Sequence, residues 1–401
     1  MTEPLSTRTT TERRTHLPAL DGLRGVAIAG VVLFHAGDLV PGGFLGVDLF
    51  FALSGYLITD LLLREIDKSG TVSLVAFWGR RIRRLLPALV TMLAVVTVVV
   101  WAIAPDDVVR TTLRDGPWVQ LNLVNWHLLA ESAGYWDRFG TGRVFEHLWS
   151  IAVEEQFYLV WPVVLVVLVV LARWGRRVEH RVAISAALVS VLSLGLMVLL
   201  LDTADTTRVY TGTDTRAFSL LLGAAAATRP VRDALAGAVG RWAGAVLVLL
   251  ALGTGTAWVF AAGADSVWLF MGGLFAHSLA AALLVALCAQ APGALVAKAL
   301  AWQPLQWLGQ LSYSLYLWHW PVFVLFPPER GWFWTVTACA VSIGLAAMSK
   351  YLVEDPIRFR AKWARGRRGV IACTAVMIAL AMLWLLMPVP AAPSIDVTRI
   401  T

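Results

Sequence analysis

The sequence predicts an all-α, polytopic membrane protein of about eleven transmembrane helices, with its N-terminus cytoplasmic and its C-terminus extracytoplasmic. Three observations predict it. Of the 401 residues, 58% are hydrophobic and only 15% charged, more apolar side chain than a soluble domain of this length buries. The apolar residues gather into runs of about 20, the length at which a helix crosses a bilayer core. Arginines and lysines concentrate in alternate connectors between those runs, as the positive-inside bias requires.

Residues 1–17 are polar, rich in Thr and Arg, and read as a cytoplasmic tail. The apolar run after them has no small-residue cleavage pattern, so it is expected to be retained as the first span. The spans fall at 20–39, 44–63, 85–103, 148–171, 182–201, 217–227, 243–262, 267–289, 305–326, 332–353 and 370–387. Arg8, Arg13 and Arg14 precede the first; Arg64, Lys68, Arg80, Arg81, Arg83 and Arg84 follow the second; Arg173, Arg176, Arg177 and Arg181 follow the fourth. Arg229, Arg232 and Arg241, then Lys298, then the run from Arg358 to Arg368 fall on the same side if every segment crosses once. The run 217–227 is short and makes the weakest crossing. Segment 118–130, with Asn122, Asn125 and His127, would break the alternation and is expected to be an interfacial or re-entrant helix. The main membrane domain is thus 18–368, with an additional C-terminal helix at 369–390 and an extracytoplasmic tail or linker at 391–401.

The net charge of +7 does not indicate nucleic acid, because the cations sit beside hydrophobic runs. Cys288, Cys339 and Cys373 each lie within an apolar run, without a CxxC pair or a His at ligand spacing, so neither a disulfide framework nor a metal site is expected. No internal repeat of the kind that marks inverted-repeat transporters is visible, which favours an enzyme.

Titratable side chains at bilayer depth are costly and mark candidate chemistry. They are Arg24, His35, Asp48, Glu154, Glu155, His277, His319 and Lys350. Arg24 and His35 are eleven residues apart on one helix, which leaves them about 20° from a common face and roughly 16 Å apart along the axis. Asp48 opens the next span after a Pro41-Gly42-Gly43 turn, at a depth where it could pair with His35. His147, Ser150 and Glu154 share a helical face by their spacing. His35, Asp48, Glu154 and His319 are therefore expected to collect towards the outside, and Arg24, Arg81 and Arg84 towards the cytoplasm. If the reaction is acyl transfer from a phosphate-bearing donor, Arg81 and Arg84, at i and i+3, would form a two-pronged clamp for its phosphates, and a buried His is a natural base for a sugar hydroxyl. The bland readings are that the arginine pair is a positive-inside anchor, that His277 and Lys350 are a packed polar group and a snorkelling end residue, and that Tyr313, Tyr316, Trp318 and Trp320 are an interface belt or packing.

The strings LPALDGLRGVAIAGVVLFHAG, GGFLGVDLFFALSGYLIT, FWGRRIRRLLPA, LWSIAVEEQFYLVWP, YTGTDTRA, LSYSLYLWHWPV and YLVEDPIR resemble the acyltransferase 3 family, membrane O-acyltransferases that modify peptidoglycan, lipopolysaccharide O-antigen, exopolysaccharides and some macrolides. The family's Arg-x10-His signature falls on Arg24 and His35, its Arg-x-x-Arg on Arg81 and Arg84, and its Trp-Ser-x-x-x-Glu-Glu-Gln-Phe-Tyr element on 149–158. The resemblance implies acyl-CoA, usually acetyl-CoA, as a co-substrate from the cytoplasm, with no bound cofactor and with His35 essential. It extends to the subgroup in which an extra last helix leads to an extracytoplasmic SGNH-type domain, so an SGNH-type partner or further domain is an expected collaborator.

The expected roles are His35 as base, Asp48 or Glu154 orienting it or meeting the acceptor, and Arg24, Arg81 and Arg84 holding the donor. Ser150, Asp214, Arg216 and His319 are expected on the acceptor side, with an outer loop around Thr213–Arg216 facing a carbohydrate or other hydroxyl acceptor. Whether His35 forms an acyl-enzyme or only removes a proton is open at this level. The competing classes are a proton-coupled exporter or flippase of a glycan or lipid precursor, and a non-catalytic membrane scaffold. The expected location is the inner (plasma) membrane.

Overall fold

The computed structural model describes residues 17–37, 39–133, 135–136, 142–172, 177–263, 266–326 and 331–390, and among them there is no strand. Helices α1 (Pro18–His35) and α2 (Gly46–Ser69) flank a 3₁₀ turn at Gly43–Leu45. Next come α3 (Leu74–Ile103), α4 (Asp106–Gln120), α5 (Val124–Ala130), α6 (Trp149–Ala172), α7 (Arg177–Leu199) and α8 (Thr207–Thr211). Then follow α9 (Thr213–Ala226), α10 (Arg229–Val239), α11 (Ala243–Phe260) and α12 (Leu274–Gln290). The last four are α13 (Leu295–Leu300), α14 (Gln303–Leu325), α15 (Trp332–Met348) and α16 (Gly366–Leu386). Residues 1–16 of the expected cytoplasmic tail, the expected extracytoplasmic tail 391–401, and Arg173 and Arg176 lie outside the described residues.

Among the described residues, nine helical stretches are long and apolar enough to cross a membrane. Many carry large apolar side chains on their outer faces, such as Leu188, Val191 and Leu192 on α7, which lipid rather than water would cover. The C-terminal helix α16 buries only Leu380 and Trp384. Two of the eleven expected spans fall outside the nine. Helix α9 has 14 residues, about 21 Å of rise against a core of about 30 Å. Helix α14 is long enough, but its Gln, Ser, Tyr and His side chains lower its hydropathy.

Three boundaries differ from the sequence expectation for physical reasons. Helix α3 begins at Leu74, not 85, because Ser73 accepts the Ala76 N–H as an N-cap and the basic run Arg80–Arg84 is itself helix-forming. The hydroxyl-rich stretch expected as a loop, Thr213–Arg216, is the first turn of α9. Segment 118–130 is neither one helix nor a span: α4 ends at Gln120 and α5 begins at Val124, with Asn122 between them at φ 56°.

Two helix crossings position everything that follows. At the first, α1 and α14 run in the same direction, and a Cβ on Gly309 would fall 1.8 Å from the Asp21 carbonyl oxygen, one on Gly25 2.2 Å from that of Leu305. At the second, α2 and α9 do the same: a Cβ on Gly55 would lie 1.8 Å from the Leu220 oxygen and one on Gly223 2.1 Å from that of Ala52. Only glycine permits such backbone contact, and small residues are the usual means of close packing where lipid supplies no hydrophobic drive.

Candidate active site

The α1/α14 crossing brings together residues nearly three hundred positions apart in sequence. Arg24 Nη2 donates to Ser312 Oγ at 3.0 Å, and two helical turns further along α14 His319 Nε2 lies 3.1 Å from His35 Nδ1. Arg24 and His35 therefore share a face of α1 as their spacing predicts, but that face looks onto α14 along its length.

Around Arg24, five helices enclose a cavity of about 120 Å³ lined by Arg24 from α1, Ser54 from α2, Arg81 and Arg84 from α3, Ser150, Glu154, Glu155 and Tyr158 from α6, and Ser312, Tyr313 and Tyr316 from α14. Arg81 also sits over the Phe77 and Tyr158 rings at 5.7 and 5.9 Å. Glu154 accepts from the Ser54 and Tyr158 hydroxyls, which also touch each other. Among the described residues, none of Arg24, Arg81 and Arg84 is in an ion pair. Three guanidinium groups face one cavity with no carboxylate at ion-pair distance, although Glu154 and Glu155 line it too; groups so placed can receive an anion, and guanidinium recognises phosphate in particular.

Around His35 lies a second, much tighter space of about 10 Å³, lined by Phe34, His35, Tyr135, Glu146, His147 and Trp320. That is about the room one water-sized group needs. The Trp320 ring packs 4.7 Å from that of His35, and its indole N–H donates to the Arg143 carbonyl at 2.8 Å. Arg143 is in turn paired with Asp115 at 2.9 Å and Asp115 with His127 at 3.1 Å, all three buried. Burial pushes the Asp115 carboxyl above its ordinary pKa, against the pull of Arg143 and His127. This triad ties α4 and α5 to the segment that delivers Glu146 and His147. Both ring nitrogens of His147 are buried, with the Tyr316 and Leu317 backbone beside the ring and no well-aligned hydrogen bond to either.

One wall separates the two spaces. The Tyr316 hydroxyl meets Ser150 Oγ at 2.6 Å and donates to the His147 carbonyl at 2.9 Å. The Tyr316 ring lies 5.4 Å from that of His319 and 5.5 Å from that of His147. These hydroxyls lie between the arginine cavity, which Tyr316 and Ser150 line, and His147, which lines the histidine space.

The structure redistributes several of the residues expected together. Asp48 does not pair with His35. Its Oδ1 takes Arg216 Nη2 at 2.8 Å and the Ser219 and Ser278 hydroxyls at 2.9 Å each, and its Oδ2 has no hydrogen-bond partner. Arg216 is not on an acceptor surface: it is 0% exposed, with its guanidinium 4.9 Å from the centre of the Tyr210 ring. Asp214 binds Arg208 at the start of α9. Glu154 faces the arginines instead of joining the histidines, because α6 starts at Trp149 and His147 belongs to the preceding 3₁₀ turn, off the helical face assumed for it. Ser150 is in the wall and His319 is against His35. His277 is a packed polar group as expected, accepting the Trp258 indole N–H at 3.1 Å, and Lys350 is ion-paired with Asp355. Sequence reasoning passed over Tyr158, read Tyr316 and Trp320 as belt or packing, and placed His147 on a helical face without giving it a role. The i, i+4 step from Glu154 to Tyr158 was a usable signal; the tyrosines and tryptophans of α14 could not be told from a belt without their neighbours.

The pattern of the acyltransferase domain family, acyltransferase 3, matches residues 17–349. The chain belongs to this family. It is 36% identical over 380 residues to the putative peptidoglycan O-acetyltransferase YrhL of Bacillus subtilis, covering 90% of this chain and 58% of that protein. It is 34% identical over 367 residues to the peptidoglycan O-acetyltransferase OatA of Listeria monocytogenes, covering 88% and 57%. With the O-acetyltransferase OatA of Staphylococcus aureus it shares 36% over 315 residues, covering 77% and 51%. The chain thus spans between half and three-fifths of these relatives' lengths. No solved structure matches it.

Proposed function

We propose that this chain is a membrane O-acyltransferase that moves an acetyl group from cytoplasmic acetyl-CoA to a hydroxyl of a cell-envelope glycan, peptidoglycan in the first instance. The observation that carries this is the adjacency of two unlike sites, an unpaired three-arginine cavity and a histidine slot, across a single Tyr316–Ser150 wall. The relatives named for peptidoglycan O-acetylation support the acceptor class.

In this reading Arg24, Arg81 and Arg84 hold the phosphates of the donor, and the thioester reaches past Tyr316 toward His35. His35 takes the proton of the acceptor hydroxyl as the oxygen attacks the thioester carbonyl. The C–S bond breaks, the ester forms, and the imidazolium returns the proton to the leaving thiolate, so atoms and charges balance. His147 and Glu146 line the place where the hydroxyl sits. The hydroxyl belongs to the glycan itself or to an SGNH-type partner that hands the group on.

The topology proposed with it has eleven crossings in the plasma membrane, N-terminus inside and C-terminus outside, with α9 and α14 as the two polar crossings packed within the bundle. The shared direction of α1 with α14, and of α2 with α9, supports the alternation, since these are odd with odd and even with even in that count.

The test is release of free thiol from acetyl-CoA by the protein in lipid nanodiscs, with and without a muropeptide acceptor, for wild type and His35→Ala. Acceptor-stimulated release that is lost in His35→Ala is expected. Glycan movement without donor consumption would replace this reading with the exporter, and equal turnover in His35→Ala would remove His35 from the chemistry.

A further inference from the structure

The His35–His319 contact has a direction that heavy-atom positions alone assign. His319 Nδ1 lies 2.8 Å from the Tyr316 carbonyl oxygen and 3.1 Å from that of Leu315, both on its own helix. Carbonyl oxygens only accept, so Nδ1 carries the hydrogen. In a neutral imidazole the other nitrogen is then an acceptor, and His319 Nε2 is the atom 3.1 Å from His35 Nδ1. His35 Nδ1 must therefore be the donor of that bond. It follows that neutral His35 is held as the Nδ1–H tautomer, with its basic lone pair on Nε2.

From this we propose that His319 is a positioning residue, which fixes the tautomer and ring plane of His35 through a chain running from helix carbonyl to imidazole to imidazole. The inference rests on the proposed acyl transfer and adds to it which nitrogen does the work and what sets it. A carboxylate usually fills this role by accepting from the imidazole's distal N–H. Asp48, the carboxylate the sequence offered, is bonded to Arg216, Ser219 and Ser278, and His319 occupies the place beside His35. A neutral acceptor there puts no second charge beside His35, and His319 itself is 0% exposed. When His35 takes up the acceptor's proton, its Nδ1–H bond to His319 becomes charge-assisted and strengthens. The geometry is stiff at both ends. The His319 ring is held by its own helix turn, and the distance between the two backbones is set where Gly25 and Gly309 leave no room for a Cβ.

The alternative is that His319 only fills space, and three variants separate the two. His319→Gln keeps an acceptor oxygen at about the reach of Nε2; His319→Met keeps the volume and loses the acceptor; His35→Ala is the control for chemistry. With the full chain in nanodiscs, His319→Met is expected to lower kcat for acetyl-CoA turnover by ~100-fold with the donor KM unchanged. His319→Gln is expected to recover kcat to within ~10-fold of wild type. Met performing as well as Gln would overturn the proposal while leaving acyl transfer intact. If wild type shows no turnover at all, the proposed function fails, and the tautomer is read directly instead. Histidine-¹⁵N solid-state NMR, with the His35 signals identified by their loss in His35→Ala, should show Nδ1 protonated in the neutral ring of wild type and mixed protonation in His319→Met. A His35 that keeps Nδ1–H in His319→Met also overturns the proposal.

Discussion

Replacing Asp48 with alanine would strand the Arg216 guanidinium in a site with no solvent access. Both side chains are 0% exposed and their nearest atoms are 2.8 Å apart. Removing one partner of such a pair costs about 3–5 kcal/mol, because the remaining charge keeps its desolvation cost and loses its compensation. Unfolding entropy of about 2.1 cal/mol/K per residue over 401 residues is about 0.8 kcal/mol/K, so the melting temperature should fall by about 4–6 °C. The fall is larger if helices persist in the unfolded state, since that shrinks the entropy divisor. The Ser219 and Ser278 hydroxyls are 2.8 Å apart and can satisfy each other. Replacing both charges, as Asp48→Ala with Arg216→Met, should therefore restore most of the melting temperature. The assay is thermal unfolding followed by size-exclusion fluorescence in detergent, with acetyl-CoA turnover measured well below the melting point. A double variant that melts like wild type and still turns over would establish the pair as a brace between α2 and α9. An Asp48→Ala variant that melts like wild type and has no turnover would refute this reasoning and put Asp48 in the chemistry.

Three further outcomes follow from the site and the packing. Arg84→Ala removes one charge-assisted contact to the donor, worth about 1.5–3 kcal/mol, and should raise the donor KM by roughly 10–150-fold with a smaller change in kcat; steady-state kinetics in nanodiscs reads the split, and an unchanged KM would return Arg84 to being an anchor. Tyr316→Phe keeps the ring and removes the hydroxyl that meets Ser150 and the His147 carbonyl. Acceptor-independent thiol release should rise relative to acceptor-dependent release, and a constant ratio would mean that the wall does not govern passage. Gly309→Ala puts a Cβ 1.8 Å from the Asp21 oxygen, so α1 and α14 must part and turnover should be lost. By contrast Gly237→Ala, with nothing within 4 Å, should add about 0.5–1 kcal/mol of helix stability; comparable activity in the two variants would show that the crossing does not position His35.

The all-helical membrane architecture was legible in the sequence because its cause is local. A run of apolar residues carries its own length and its own solvent, and its backbone bonds close within the segment. The expected spans at 20–39, 148–171 and 332–353 correspond to α1, α6 and α15, each starting within two residues of the prediction. The start of α3 was missed because a charge run was weighed as a connector, although Arg80–Arg84 are good helix formers behind a Ser73 cap. The shared face of Arg24 and His35 was legible for the same local reason, since helical periodicity fixes it.

Partner choice was not legible, because it depends on which helices touch. Depth along a span placed Asp48 near His35 and Glu154 with the histidines. Lateral packing gave Asp48 to Arg216, Glu154 to Ser54 and Tyr158, and His319 to His35. Those pairings follow from Gly25 meeting α14 and Gly55 meeting α9, contacts between positions hundreds of residues apart that no periodicity encodes. The sequence by itself determined which elements exist and which side chains share a face. Only the tertiary structure decided which faces meet, and with that which imidazole nitrogen bears the proton, because a hydrogen bond across helices is set by the distance between two backbones and not by the spacing along either one.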